Sequence, residues 1–285
     1  SISRYFSHAT VIEVTNISRR SIFGIFKLLS TINKLKPDIV HSHGSKTTSI
    51  INSVKKIINL NHVCSVHGIK SNTKVYSNAD AVIAGSIKIQ ASLNVSSHLV
   101  ENWWHPALPK SIEKTNEYTL AIGRLEPVKG FDLLIKSWVG IDKKLLIIGD
   151  GPEYTKLNQL ISDNDLSDKI TIVNSVSKEK LIDFYKKASL LIISSRREGG
   201  PRVALEALYL QIPVISTRVG HMEQILPEEL LAEPDDLDSL KKLINRWIYA
   251  SFKQDSIYQY VAEEFSLEKK EKKVFTIYEA LLSKS

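Results

Sequence analysis

The chain has one cysteine, Cys64, among its 285 residues. No disulfide can form within it and no cysteine-based zinc site can be built, which fits a reducing compartment. It also lacks long hydrophobic runs. Leu145–Ile148 and Leu190–Ile193 are of strand length, far short of the ~18–20 apolar residues that a spanning helix needs. No signal-peptide-like apolar stretch opens the chain. With 43% hydrophobic and 24% charged residues, disorder and collagen-like architecture are excluded. These absences lead to the expectation of a cytoplasmic protein, soluble or peripheral at the inner face of the cell membrane.

Acidic residues are scarce in the first 110 positions: four, against 13 Lys and Arg, which gives +9 there and −2 in the remainder. Such asymmetry points to an anionic partner, whether membrane surface, nucleic acid or phosphorylated substrate. No nucleic-acid module or interleaved aromatic platform accompanies the charge, so no nucleic-acid partner is expected. The stretch Arg19–Lys36 reads as a helix without one acid. Ile22, Ile25, Phe26, Leu29 and Ile32 share one face at helical spacing, and Phe23 stands among Arg20, Lys27 and Lys34 on the other. An exposed aromatic beside cations suits an anionic bilayer; a sheet-covering helix with a solvated cationic face reads from the same residues.

Short β-branched runs alternate with amphipathic stretches. Strands are expected at Thr10–Val14, Asp38–His41, His62–Val66, Ala81–Ala84, Thr119–Ile122, Lys144–Ile148, Ile170–Ile172, Leu190–Ile193 and Val214–Ser216. Helices are expected at 22–35, 45–58, 131–139, 154–164, 178–188, 201–210, 237–250 and 267–283. This alternation, with nearly continuous apolar strands, predicts α/β architecture with parallel sheets covered on both faces. Pro106 and Pro109 mark a break. The chain divides into two α/β units, 1–110 and 111–262, followed by a C-terminal helix at 263–285. The first unit opens on Ser1 with no strand, glycine loop and helix before it; removal of an initiator Met and truncation upstream both fit.

Three segments carry chemistry. At Arg197–Ala207 an apolar strand runs through Ser194 and Ser195 into Glu198, Gly199, Gly200 and Pro201, then a helix holding Arg202, Val203 and Glu206. Pro201 suits the first helical position. The glycines allow close backbone approach, and the helix N-terminus favours an anion such as a diphosphate. A carboxylate accepts from paired hydroxyls, which a sugar diol supplies. Alone, the segment also reads as a helix start with a solvated Glu. Gly123-Arg124-Leu125-Glu126-Pro127-Val128-Lys129-Gly130 places two cations at another strand's carboxyl end, suited to phosphate. Gly149-Asp150-Gly151-Pro152 makes a third close-approach turn. All three sit where open α/β sheets bind ligands.

The segment EGGPRVALEALYLQIPVISTRVGHMEQI resembles the signature of retaining glycosyltransferases of family 4. The resemblance implies the GT-B fold, two Rossmann-like domains with parallel sheets facing across a cleft: an acceptor-side domain at 1–110, a nucleotide-sugar-binding domain at 111–262 and a C-terminal helix, 263–285, crossing back. The family's Glu–seven residues–Glu pattern falls on Glu198 and Glu206, its G-R-L-x-x-x-K-G stretch on Gly123–Gly130 and its GDGP turn on Gly149–Pro152. KPDIVHSHG, SVHG and NADAVIAGS resemble the family's N-terminal domain, and EEFSLEKKEKKVFTIYEALL its closing helix. The resemblance implies that Arg124 and Lys129 hold the donor diphosphate and stabilise the leaving group. It further implies that Glu198 and the Gly199–Arg202 amides bind the sugar, that Glu206 binds the ribose, and that His67 faces the sugar. Catalytic roles would then fall to Glu198, Arg124, Lys129 and His67. Gly123, Gly149, Gly151, Pro152, Gly200, Pro201, Arg202 and Val203 would complete the donor site. The implied activity is hexosyl transfer from a nucleoside-diphosphate sugar, UDP-linked, to a glycan or lipid-linked acceptor in surface-polysaccharide synthesis, with no cofactor and no metal. A silent nucleotide-sugar-binding subunit and another GT-B enzyme, such as an epimerase, are the alternatives. The sequence departs from the family at Gly200, commonly large and apolar, at Arg202, often Asn, and at His221, usually Gly. Asn174-Ser175 replaces a usual Phe-x-Gly.

Other signals are weaker. Asp163-Asn164-Asp165 and Asp236-Leu237-Asp238 read as helix caps rather than metal ligands. His41 and His43 read as structural, Trp103 and Trp104 as linker packing, and Trp138 and Trp247 as helix core.

Overall fold

The structure, a computed structural model, describes residues 10, 12–13, 18, 21–250 and 254–283. The expected strand Thr10–Val14 and the start of the basic helix at Arg19 and Arg20 fall largely outside the described residues. Two parallel sheets organise the rest. The first is β1 (Ile39–His43), β2 (Asn61–Val66), β3 (Ala81–Ala84) and β4 (His98–Leu99), in that order. The second runs β10-β9-β8-β5-β6-β7. Its strands are β5 (Tyr118–Ile122), β6 (Leu145–Ile148), β7 (Ile170–Val173), β8 (Ala188–Ile193), β9 (Val214–Thr217) and β10 (Leu231–Ala232).

Strand order in the second sheet reverses between β5 and β8: β6 and β7 extend one way, β8 to β10 the other. The loops leaving β5 and β8 therefore part to opposite faces and open a crevice at their carboxyl ends. Near-continuous apolar strands are buried on both faces by helices, among them α4 (Phe131–Ser137), α5 (Tyr154–Asp163), α6 (Lys178–Lys187), α7 (Arg202–Tyr209) and α9 (Leu237–Trp247). Trp138 is fully enclosed there, with its indole N–H donated to Lys143 O at 2.8 Å. Trp247 packs at the edge of the same core.

In the first unit α1 (Ile22–Leu35) is capped by Ser21, whose hydroxyl accepts from Gly24 N at 3.1 Å. It stops at Lys36 in a left-handed conformation, just before Pro37. Its Leu29 and Ile32 pack on Ile51 and Val54 of α2 (Gly44–Lys55). Ile22 and Phe26, expected on the inward face, are instead exposed, like Phe23. The short helices α3 (Ile87–Ala91), α8 (Met222–Ile225) and α10 (Asp255–Glu264) were not anticipated. Helix α10 packs on α7. The last helix, α11 (Leu267–Leu282), crosses to the first sheet, where Ile277 packs with Val63, Ile83 and Val100. Its Lys270, 2% exposed, pairs at 2.9 Å with Glu101 of the linker after β4.

Pro201 caps α7 rather than opening it, with φ −70° and ψ 106°. Asp236 caps α9 by accepting from Ser239 N at 2.9 Å, and Asp163 ends α5, so both Asp-rich strings act at helix ends. Among the described residues no helix is long and apolar enough to cross a membrane.

Candidate active site

Because β5 and β8 are neighbours, the loops that follow them share the crevice. The turn after β5 ends in Gly130, whose missing side chain leaves room for Ser194 O of the β8 loop: a Cβ there would lie 2.1 Å from that oxygen. This contact delivers Lys129 to Glu198. Lys129 Nζ lies 2.5 Å from Glu198 Oε1, and Ser195 Oγ donates to the same oxygen at 2.8 Å. Both charged side chains are largely sheltered, at 21% and 14% exposure. Arg124, in contrast, is 75% exposed and pairs with Glu126 at 2.7 Å. One cation is thus held within the crevice, and the other stands at its rim, free to swing.

Close approach brings the β6 turn in as well. A Cβ on Gly149 would fall 1.8 Å from Gly123 O, and one on Gly151 2.4 Å from Leu125 O. Pro152 sits in that turn, and Glu153 N donates to Leu125 O at 3.0 Å. A cleft of about 330 Å³ opens beside it, walled by Ile122, Ile148, Val176 and Leu181 and rimmed by Arg124 and Asp150. Ser175 donates to Asp150. The apolar walls suit a flat ring, and Arg124 on the rim suits its phosphates.

Glu206 lies deeper, in the second turn of α7, beside a small cavity lined also by His105, Lys178 and Tyr185. Its Oε2 accepts from Tyr185 Oη–H at 3.1 Å. Burial raises its carboxyl above the ordinary range, against the opposing pull of Tyr185, Arg202 and Lys178. The Arg202 guanidinium lies 5.5 Å over the Trp103 ring. Its side chain is thereby engaged with the linker, and its backbone amide belongs to the first turn of α7. Val203 packs its side chain against the core. Trp104 stacks on Tyr209, so both linker tryptophans serve packing.

The two units meet at this loop. A Cβ on Gly199 would lie 2.3 Å from His67 O, at the end of β2. Asn102 donates to Gly200 O at 2.7 Å, and Lys88 spans the gap to Arg218 O and Glu223. A Cβ on Gly200 would meet His221 Nδ1 at 2.6 Å. The imidazole of His221 therefore occupies the volume that a side chain at 200 would need. It is fully buried, which lowers it to about pKa 4. The two departures at positions 200 and 221 thus share one volume.

The loop segments thus gather Gly123, Gly149, Lys129, Glu198, Gly199 and Gly200 with His67 opposite. Sequence reasoning missed Ser195, Asn102 and His43, the last of which lies 3.0 Å from His67, ring nitrogen to ring nitrogen. Ser195 had a signal, a polar residue ending an apolar strand. Asn102 and His43 had none, because their partners lie far along the chain. Among the described residues no group of His, Cys, Asp and Glu is arranged to hold a metal ion.

Two facing parallel sheets with the crevice between them are the arrangement of GT-B glycosyltransferase structures. The fold matches Anabaena Alr3699/HepE, solved in complex with UDP and glucose, at a TM-score of 0.85 and 18% identity, over 98% of this chain and 88% of that one. The family Glycosyl transferases group 1 matches residues 108–264, and the chain belongs to it. It is 30% identical over 228 residues to an uncharacterized glycosyltransferase of Methanocaldococcus jannaschii, covering 73% of this chain and 64% of the relative. It is 24% identical over 267 residues to the phosphatidylinositol N-acetylglucosaminyltransferase GPI3 subunit of Saccharomyces cerevisiae (strain YJM789), covering 80% of this chain and 59% of the relative. The chain therefore spans about three-fifths of the length of these two relatives.

Proposed function

We propose that the protein is a retaining glycosyltransferase of family 4. It moves a hexose from a UDP-sugar to a glycan or lipid-linked acceptor of surface-polysaccharide synthesis. The observation that carries this reading is the Ser195–Glu198–Lys129 cluster, buried at the β5/β8 switch point with the β2 end and His67 facing it. In this reading the nucleobase lies in the cleft between Ile148 and Val176, and Glu206 accepts from the ribose hydroxyls. The amides at the start of α7 and Gly199–Gly200 hold the donor. As the bond from the anomeric carbon to the diphosphate oxygen breaks, negative charge grows on that oxygen. Lys129 shifts from Glu198 to the diphosphate, and Arg124 leaves Glu126 to join it. Glu198 is thereby released to accept from the sugar's hydroxyls. Donors preorganised in a water-poor crevice stabilise such charge strongly. The acceptor hydroxyl enters from the first unit, its oxygen bonds to the anomeric carbon on the face that the diphosphate leaves, and its proton passes to the departing UDP.

Acceptor placement at a bilayer is supported by α1, whose Ile22, Phe23 and Phe26 are 67%, 90% and 59% exposed beside Lys27. Flotation should then require anionic lipid, and equal binding to neutral vesicles excludes it. The donor assignment is tested by calorimetric titration with UDP, GDP, ADP and their hexoses. Selective UDP binding is expected, weakened by about 1.5–3 kcal/mol in Glu206→Ala, the scale of hydrogen bonds to a charged group. In Arg124→Ala, kcat should fall on the order of 10²-fold with KM for the UDP-sugar little changed. Absence of binding to every base overturns the donor assignment. Binding without transfer or donor hydrolysis supports a silent nucleotide-sugar-binding subunit instead.

A further inference from the structure

His41 and His43, two residues apart on β1, share one face of the first sheet, and the register sets Ser65 of β2 opposite His43. Their rings stack at 4.5 Å, and the ring of His43 runs nearly parallel to that of His67, at 8° with centroids 5.3 Å apart. Three imidazoles thus form a column from the crossing helix to the crevice. At its inner end His41 is pinned at both nitrogens, Nδ1 to Tyr278 Oη of α11 at 2.6 Å and Nε2 to Ser65 Oγ at 2.8 Å. At its outer end His43 Nδ1 and His67 Nε2 lie 3.0 Å apart.

A neutral imidazole carries one donor and one acceptor. The bond between His43 and His67 holds one proton, so whichever ring gives it fixes the tautomer of the other. With Nε2 of His67 engaged, only Nδ1 is left for a ligand in the crevice. Burial keeps all three rings below the ordinary histidine range, and their mutual repulsion opposes charging further. The column therefore works as neutral rings.

We infer that His43 is a positioning residue for His67. It fixes the ring and its tautomer, and α11 anchors the column through Tyr278 and His41. The inference rests on the reading that His67 faces the donor sugar, but the coupling itself can be measured without turnover. In the full chain labelled with ¹⁵N-histidine, the ring nitrogens of His67 should show a single tautomer at neutral pH, with and without UDP. His43→Ala should convert this to averaged tautomers. His43→Asn, which returns a hydrogen-bonding atom near the Nδ1 position, should restore a single one. Tyr278→Phe should give a partial change of the same sign. In donor hydrolysis, with the UDP-hexose that titrates most tightly, His43→Ala should lower kcat about 10-fold or more while KM stays within about twofold, as expected when a catalytic imidazole loses the group that sets its tautomer. A single unchanged His67 tautomer in His43→Ala overturns the inference. So does normal turnover in His43→Ala when His67→Ala abolishes it. If His67→Ala leaves hydrolysis unchanged while the tautomer still responds to His43, the assignment of His67 to the sugar fails and the coupling stands.

Discussion

The two units of this molecule are built on the same plan but hold together differently. The second has one continuous apolar core running from α4 and α5 through six strands to α9 and α10. The first divides its apolar contacts among three separate clusters, one under α1, one around Tyr76 and Ile89, and one that includes Ile277 of α11. Its small interior also carries a polar cluster between strand and helix. Ser42, Thr48 and His62 are buried together, with Ser42 Oγ 2.8 Å from His62 Nε2. A fold with a single large core can leave its loops free for chemistry. A fold with a divided core depends on a helix borrowed from the far end of the chain.

That difference can be broken in order of expected size. Glu101→Gln leaves Lys270 charged and buried without its partner, at a cost of about 3–5 kcal/mol. Urea unfolding should then show the first unit melting ahead of the second, and a fully concerted transition would count against the dependence on α11. Trp138→Ala, in the continuous core, should cost about 3–5 kcal/mol. It should lower the second unit and leave the histidine column's ¹⁵N signals in place before unfolding.

Acid comes next. His41 and His62 of the first unit are lowered from 6.5 to about 4, chiefly by burial. Below pH 6.5 the unfolded chain binds protons that the folded one refuses. The contribution of these two groups to stability is therefore full above 6.5, falls as pH drops towards 4, and is gone below it. His221 of the second unit is lowered in the same way, but the first unit holds four lowered histidines, His41, His43, His62 and His67. Hydrogen exchange at pH 5 against pH 7, corrected for intrinsic rates, should therefore show β1–β3 loosening more than β5, β6 and β8; equal loosening would erase the contrast. The smallest effect is Ile83→Val, about 0.5–1.5 kcal/mol in the shared cluster with α11, read as a shift of the first transition alone.

Much of this was legible because it is local. Ala81–Ala84 and Ile22–Leu35 stand where the pattern put them, since an apolar run between polar breaks, or a helix between Ser21 and Pro37, needs no distant partner. The loop after β8 was legible for the same reason: strand, glycines and helix start are contiguous. Helices α3 and α8 were missed because they are too short to show a period. Helix α10 was missed because its buried Tyr258 and Val261 are too few to form a stripe. The turning outward of Ile22 and Phe26 was invisible because spacing defines a face but not what lies against it. The pairing of Lys129 with Glu198 and the column from Tyr278 to His67 join residues 69 and more positions apart, and only the fold supplies them.

One contact has a consequence for how such chains recombine. The loop after β8 meets the end of β2 with no room for even a methyl group, since a Cβ on Gly199 would lie 2.3 Å from His67 O. The seam between the units is therefore a gauge with no tolerance, set by one backbone on each side. A second unit grafted onto a foreign first unit will keep its own fold, but the graft will close only where the foreign strand end runs at the same depth. Alanine at 199 should act as a doorstop, leaving each unit intact while holding them apart. Shuffling second units among related chains should thus succeed or fail at this seam before any question of substrate arises.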